Sequence, residues 1–277
     1  MMIRAEPMLR TRVIETLTTR FHGRVELGEI HVWIKHGIHV WGKGLKIYGV
    51  GDPNPWQAGV QPLLSVSQFS FETALANLFR DPMRVDTIFV HGLTMNIPPP
   101  GERKEIGTLR QRKLSIAVSQ FVCSSTKLLI SGVRADKSPL QFDIRQLRLT
   151  DIGPGQPFRF EAQLVNPRPI GDIHSQGLFG PIEERSPRDS PVAGTYSFTH
   201  ADLSTFRGIG GILSSTGRYR GTLARIEVQG ETDTPDFRLK VSGHPVSLRT
   251  EFHAIVDGTD GDTYLTQSWL IFSIPRS

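Results

Sequence analysis

Apolar and polar residues alternate along most of the chain, with the period of two that is typical of half-buried β-strands. The alternation starts near Val25 and is clearest in the second half of the chain. The clearest segments are 140–144, 158–164, 224–228, 237–241 and 246–256. Each has one apolar and one polar parity, and few helical segments are available to cover the apolar side. The pattern therefore predicts a mainly β protein.

Two short segments have a helical pattern instead. Residues 7–22 repeat apolar side chains every four positions, which predicts an amphipathic helix that either packs on a core or forms a membrane-proximal cap. The repeat consists of Leu9, Val13, Leu17 and Phe21. A second short helix is predicted near 73–79, where Pro82 stops it.

Two polar stretches are predicted to be loops. Residues 101–113 carry five basic side chains and few apolar ones, which indicates a solvated loop after the proline run at 98–100. Residues 181–191 have the proline-rich, charged composition of an exposed linker or a long hairpin loop. The second stretch either divides the chain or lies within one continuing sheet.

Glycines punctuate residues 201–237 between short alternating segments, as expected for strands joined by tight turns. The ordered pattern is Asp202, Leu203, Ser204, Phe206, Gly208, Ile209, Gly210, Gly211, Leu213, Ser214, Gly217, Tyr219, Gly221, Leu223, Ile226, Val228, Gly230 and TDTPDF at 232–237. This long pattern resembles the AsmA-like family of bacterial envelope proteins. The segments LTTRFHGRVEL (17–27), RVDTIFVHGLTMNIPPPGER (84–103) and HAIVDGTDGDTYL (253–265) also resemble that family.

The resemblance implies a fold, a function and a location. Residues 23–265 are expected to form an extended, curved antiparallel sheet, folded like a taco into a groove that carries phospholipid between the inner and outer membranes. The expected location is the bacterial inner membrane, with most of the chain in the periplasm. Family members usually begin with a membrane anchor and are longer. The resemblance therefore implies a missing anchor and a truncated end, with 266–277 as an atypical tail.

Composition narrows the function classes. The 27 glycines and 19 prolines favour turns and strands over helices. The net charge of +5 comes from scattered basic residues, which does not indicate a nucleic-acid groove, and we expect no nucleic-acid partner. With Cys123 as the single cysteine, neither an internal disulfide nor a zinc site built on several thiolates can form. No apolar run reaches the ~18 residues of a membrane-spanning helix, and no targeting segment is recognised.

No catalytic motif is found in the sequence. Ser214 and Ser215 lack the spacing of a nucleophile elbow, and no phosphate-binding glycine loop follows a predicted strand. We therefore expect a protein that is not an enzyme and that needs no cofactor.

Two polar clusters could suggest a metal. They are the histidines His31, His36 and His39 and the aspartates Asp257, Asp260 and Asp262. A metal needs imidazoles that converge, whereas only His31 and His39 are placed to share a strand face. The aspartates lack the later glutamate of a calcium loop, and Asp-Gly is common in hairpin turns. We expect ordinary strand histidines, a turn and no metal.

The apolar positions of the alternating segments supply candidate residues for a lipid groove. These are Phe142, Ile144, Phe158, Phe160, Ile226, Val228, Phe237 and Leu239. Their apolar side is covered by a second sheet, by curling of the same sheet, or by a ligand, and periodicity does not choose among these. The leading hypothesis is a groove that holds or conducts phospholipid acyl chains. The alternative is a non-enzymatic interaction module that assists outer-membrane protein assembly through surface contacts with other envelope proteins.

Overall fold

The computed structural model describes residues 10–11, 14–15, 18, 23–34, 37–48, 61–74, 76–77, 80–97, 116–130, 140–183, 186–241, 244–259 and 262–273, and they are mainly β. The strands are β1 (Val25–Glu26), β2 (Glu29–Ile34), β3 (Ile38–Ile47), β4 (Leu64–Thr73), β5 (Met83–Ile97), β6 (Ile116–Ile130), β7 (Leu140–Ile152), β8 (Phe158–Pro167), β9 (Ile170–Phe179), β10 (Pro191–Asp202), β11 (Ile209–Gly210), β12 (Ile212–Thr222), β13 (Arg225–Leu239), β14 (Val246–Val256) and β15 (Thr263–Ser273). Short 3₁₀ turns lie at Pro187–Asp189 and Leu203–Thr205. The prediction of a mainly β chain is confirmed.

The chain divides into two compact units, Met1–Pro154 and Gly155–Ser277. The proline-rich stretch 181–191 lies inside the second unit, where it connects β9 to β10. Its last residues are tied to the sheet, because Gly180 N donates to Pro191 O and the buried Ser190 accepts a hydrogen bond at Oγ from Glu183 N.

The sheet of the first unit has the strand order β1-β3-β4-β5-β6-β7, and β2 also pairs with β3. The expectation of a wholly antiparallel sheet is wrong, because β5 and β6 are parallel. Both strands have 15 residues and extend about 50 Å, and residues 98–115 between them lie outside the described residues. Alternation indicates which face a side chain occupies but not the direction of its strand, so the sequence pattern contained no sign of this parallel pair.

In neighbouring strands of the first sheet, one residue interrupts the alternation of side chains between the two faces. These residues lie side by side and form a row across the sheet. Val40 and Leu45 lie on opposite parities of β3, yet both pack on the same side, as do Phe69 and Val66 on β4. The row runs through Gly44, Ser67, Gly92 and Ser125. Gly44, Gly92 and Ser125 have positive φ angles, as expected where a ladder is locally irregular. Because neighbouring strands shift together, the apolar face stays continuous.

Two buried aliphatic clusters lie on this face. The first contains Leu27, Ile30 and Val40, and the second contains Val66, Leu93 and Cys123. Half-buried phenylalanines and leucines of β3 to β7 surround them. Cys123 is fully buried, and its Sγ lies 2.9 Å from Thr126 Oγ1. Burial raises the pKa of its thiol.

The sheet of the second unit is antiparallel, with the order β8-β9-β10-β12-β13-β14-β15. The short strand β11 pairs with the end of β13. Of residues 266–277, predicted to be an atypical tail, 266–273 belong to β15 and 274–277 lie outside the described residues. Residues 267–273 pair with β14, and Thr266 is an extra residue at a register shift.

The structure does not support the two predicted helices with their predicted bounds. Most of 7–22 lies outside the described residues. The described positions 10, 11, 14, 15 and 18 are helical, and Ile14 packs against the first cluster, but these positions do not establish the bounds of a helix. In the segment 73–79, β4 continues through Thr73, and only Ala76 and Asn77 are described in a 3₁₀ turn. Thr73 pairs with Ile38 of β3, and its buried Oγ1 donates to Arg84 O at 2.7 Å. The predicted loop 101–113 lies outside the described residues.

Candidate functional site

The second unit brings six of the eight candidate lining residues onto one sheet face. Two rows of cross-strand partners cross the sheet perpendicular to the strands. The first is Phe158, Phe179, Val192, Gly221, Ile226 and Val256, and the second is Phe160, Gly177, Gly194, Tyr219, Val228 and Ala254. Direct partners point to the same side of a sheet. Four candidates, from β8 and β13, therefore share this surface, which we call the apolar face of the second unit.

Phe237 and Leu239 reach the same face through an irregularity in β13. Thr234 pairs with Leu248, but Phe237 pairs with Val246, so β13 contains one residue more than β14 between these pairs. The extra residue restores the parity that would otherwise send Phe237 to the opposite face. Leu239, two residues further on, lies on the same side at the end of the strand.

The remaining candidates belong to the first unit. Phe142 pairs with Leu128, and Ile144 pairs with Thr126. Their face carries the second aliphatic cluster, because β7 takes part in the shift of parity that brings Leu147 against that cluster. The structure therefore places these two candidates on the apolar face of the first unit.

None of the eight candidates is buried. Leu239 is 44% exposed, and the other seven are half-buried. The described strands have their closest contacts with their neighbours in the sheet. The partial exposure of all eight side chains shows that no described layer encloses them. A sandwich would have buried them to the level of Val66 or Leu93.

Tyrosine rings cover part of the apolar face of the second unit, a feature that the sequence analysis missed. The Tyr219 side chain crosses Gly194, and its Oη lies 2.7 Å from Ser175 Oγ. The Tyr196 side chain crosses Gly217 in the other direction, and its Oη lies 3.0 Å from Ser215 Oγ.

Burial raises the pKa of both tyrosines, so they stay neutral hydrogen-bonding groups. The signal that could have revealed them is the repeated Gly-x-Tyr spacing at 194–196 and 217–219. In a strand this spacing places the glycine and the tyrosine on one face.

The opposite face of the second unit is ionic. Arg218 donates twice to Gln229 Oε1, at 3.1 and 2.9 Å, and Arg249 lies 3.3 Å from Asp233. A shallow depression of about 570 Å³ lies between these strands near Glu231 and His253. These side chains alternate with the apolar ones, as the sequence pattern predicts.

The glycine-rich stretch that carries the family resemblance forms a structural corner. Asp202 Oδ1 accepts a hydrogen bond from Ser204 N at 2.8 Å, which caps the 3₁₀ turn. Leu203 is buried, and its N–H donates to Gly211 O. Asp236 Oδ1 accepts from Ile212 N at 2.8 Å, which ties the end of the stretch to its middle. The aspartates therefore hold backbone in place.

The two polar clusters have ordinary surroundings. His31 stacks on Trp41 and His39 stacks on Trp33, all four on one face of the β2–β3 pair, while His36 lies outside the described residues. Asp257 Oδ1 accepts hydrogen bonds from Thr259 N and Oγ1 in the turn between β14 and β15. Among the described residues, no group of three potential ligands is arranged to hold a metal.

No protein-family model matches the chain, and no curated protein matches it. In the parts of the chain that are described, no helix has the length and apolar character needed to cross a membrane.

Proposed function

We propose that this chain is a non-enzymatic, AsmA-like envelope protein whose apolar sheet faces bind phospholipid acyl chains. The observation that carries the proposal is the position of the six candidates in the second unit. They share one face, and each remains partly exposed there. Each Å² of apolar surface that a hydrocarbon chain covers contributes about 25 cal/mol, without a specific pocket. The sequence pattern shared with AsmA-like proteins supports the envelope setting.

The direction of the two apolar rows suits a hydrocarbon chain. Both rows run from β8 to β14 across five steps between neighbouring strands. At about 4.8 Å per step they extend about 24 Å, which exceeds the roughly 15 Å depth of one bilayer leaflet's hydrocarbon. An acyl chain lying along a row would contact side chains of several strands in turn.

Native mass spectrometry of protein purified from bacterial membranes tests the proposal. The wild-type chain is expected to retain phospholipid, and Phe160→Asp and Val228→Asp are expected to lose it, because each places a charge on the apolar face. Gln163→Asp and Gln229→Asp are the matched controls, because they lie on the ionic face of the same two strands. Lipid-free wild-type protein, or equal lipid in all variants, would contradict the proposal.

A second candidate function is an interaction module for outer-membrane protein assembly, and one observation favours it. Trp33 and Phe89 are each 49% exposed on the face of the first unit that lies opposite its aliphatic clusters. Exposed aromatic side chains of this kind are frequent at protein contacts. Under this function, Trp33→Ser with Phe89→Ser would lower outer-membrane protein levels in expressing cells, and Val228→Asp would not.

A further inference from the structure

The face of the first unit opposite its aliphatic clusters mixes aromatic and polar side chains. Three rows of cross-strand partners cross it from β2 to β7, and they begin at Glu29, His31 and Trp33. The middle row starts with His31, Trp41, Ser70 and Phe89. Direct partners point to the same side of a sheet. The three rows therefore form one surface, which we call the aromatic face of the first unit.

Stacked rings hold the two tryptophans of this face in place. The ring centroids of His31 and Trp41 lie 5.4 Å apart, and those of Trp33 and His39 lie 5.6 Å apart with nearly parallel planes. His39 Nδ1 also lies 3.3 Å from Glu72 Oε2, which restrains the second pair. Trp33 nevertheless remains 49% exposed. The face thus offers aromatic surface that is oriented before a ligand arrives, which lowers the entropic cost of binding.

Hydrogen-bonding groups lie between the aromatic rings of this face. Ser70 separates Trp41 from the exposed Phe89 in the middle row. In the row beside it, His91 Nδ1 lies 3.0 Å from Ser124 Oγ. Protein contacts usually have an apolar centre and a polar rim. The mixed arrangement instead favours a ligand in which C–H groups and hydroxyl groups lie close together throughout.

The charges of the aromatic face balance. Lys43 Nζ lies 2.8 Å from Glu29 Oε1, and Glu72 and Arg148 add one charge of each sign. With histidines counted as neutral, the three rows therefore have no net charge across the described strands β2 to β7. A surface without net charge does not attract anions such as nucleic acids or phospholipid headgroups. This balance favours an uncharged ligand.

We propose that the aromatic face of the first unit binds an uncharged, linear oligosaccharide of β-1,4-linked pyranose rings. The C–H groups of a pyranose pack against aromatic rings, and its hydroxyl groups bond to hydroxyl, amide and imidazole groups. The site lies opposite the aliphatic clusters, so the proposal does not rest on acyl-chain binding.

The spacing of the aromatic side chains suits such a chain. Trp41 and Phe89 lie two strands apart, which is about 10 Å and matches the length of one β-1,4-linked disaccharide. Successive rings of this type of chain are turned over, so alternate rings present the same face. One ring would therefore contact Trp41, the next would bond to polar groups near Ser70, and the third would contact Phe89.

Isothermal titration calorimetry with chitohexaose and cellohexaose tests the proposal. The wild-type chain is expected to bind at least one of them, and Trp33→Ala and Phe89→Ala should each weaken binding about tenfold. Tyr264→Ala is the matched control, because Tyr264 is an aromatic residue of the second unit with 62% exposure. This control should bind as the wild type does. Circular dichroism confirms that each variant is folded.

The length of the oligosaccharide tests the spacing. A trisaccharide is the shortest chain that reaches from Trp41 to Phe89, so affinity should rise about tenfold from the disaccharide to the trisaccharide. This rise should be absent in Phe89→Ala. A folded wild-type chain that binds neither hexasaccharide would overturn the proposal, and the exposed aromatic residues would then be left to protein contacts. Binding that Trp33→Ala and Phe89→Ala leave unchanged would also overturn it.

Discussion

The apolar face of the sheet is covered by different kinds of side chain in the two units. In the first unit, branched aliphatic side chains form two buried clusters around Val40 and Val66. Among the described residues of the second unit, the buried apolar side chains are small or scattered. They are Ala162, Val192, Ala201, Leu203 and Ala254. Its face is organised instead by aromatic rings that lie over glycines, with hydroxyl groups hydrogen-bonded at their tips.

The difference shows two ways in which side chains of a sheet cover its own face. A ring lying over a glycine covers backbone that would otherwise face water, and it buries part of its own surface. The first unit uses this contact at Gly42, beneath Phe69, and the second unit repeats it at Gly171, Gly194, Gly217 and Gly230. The second unit therefore holds its strands together while Phe158, Phe160 and Ile226 stay half-exposed.

The largest expected loss of stability comes from removing an aliphatic side chain from the core of the first unit. Leu93→Ala should lower the free energy of unfolding by about 3 kcal/mol, because it leaves a cavity beside Val66 and Cys123. Met95→Ala, an exposed position on the same strand, should cost roughly 1 kcal/mol or less. Urea unfolding measures both, and hydrogen exchange read by mass spectrometry should place the loss of protection in β4 to β6. Equal losses in the two variants would contradict a core at Leu93.

A smaller effect is expected from filling a glycine in the second unit. A Cβ atom at Gly194 would meet the backbone carbonyl oxygen of Gln176 and would lie 2.7 Å from Tyr219 Oη, so Gly194→Val must displace the neighbouring strand as well as the tyrosine ring. Overpacking of this kind should cost about 2 kcal/mol. Thr195→Val, on the opposite face of the same strand, should stay within about 0.5 kcal/mol. If urea unfolding shows no difference between these variants, the close packing of strand and ring at Gly194 does not stabilise this face.

The smallest expected effect on stability comes from removing the charge of Asp202, at the corner of the second unit. Hydrogen bonds from Ser204 hold the pKa of Asp202 below its usual value. A carboxylate with a lowered folded-state pKa stabilises the folded state above its unfolded-state pKa, and this contribution is lost as pH falls through the folded-state pKa. Asp202→Asn keeps the capping acceptor but removes the charge. The melting temperature of the variant should therefore lie below that of the wild type at pH 7, and the gap should close in strong acid. A gap independent of pH would refute the role of the charge.

The sequence pattern predicted the β class and much of the face assignment, for a local reason. Alternation within one strand decides which side chains share a face, so Ile226 with Val228 and Phe158 with Phe160 could be paired from their spacing. Three features depended on partners far along the chain. The parallel β5–β6 pair, the row of parity shifts through Gly92 and the placement of Tyr219 over Gly194 are fixed by strand neighbours and register.

The most direct test of the central claim is photo-crosslinking with a phospholipid that carries a photoactivatable group on its acyl chain, followed by peptide mapping. The proposed function predicts adducts on the apolar rows of the second unit, at residues such as Phe160, Val228 and Ile226, and their loss in Val228→Asp but not in Gln229→Asp. Adducts confined to the ionic face around Arg218 and Gln229, or no adducts on the folded chain, would contradict acyl-chain binding.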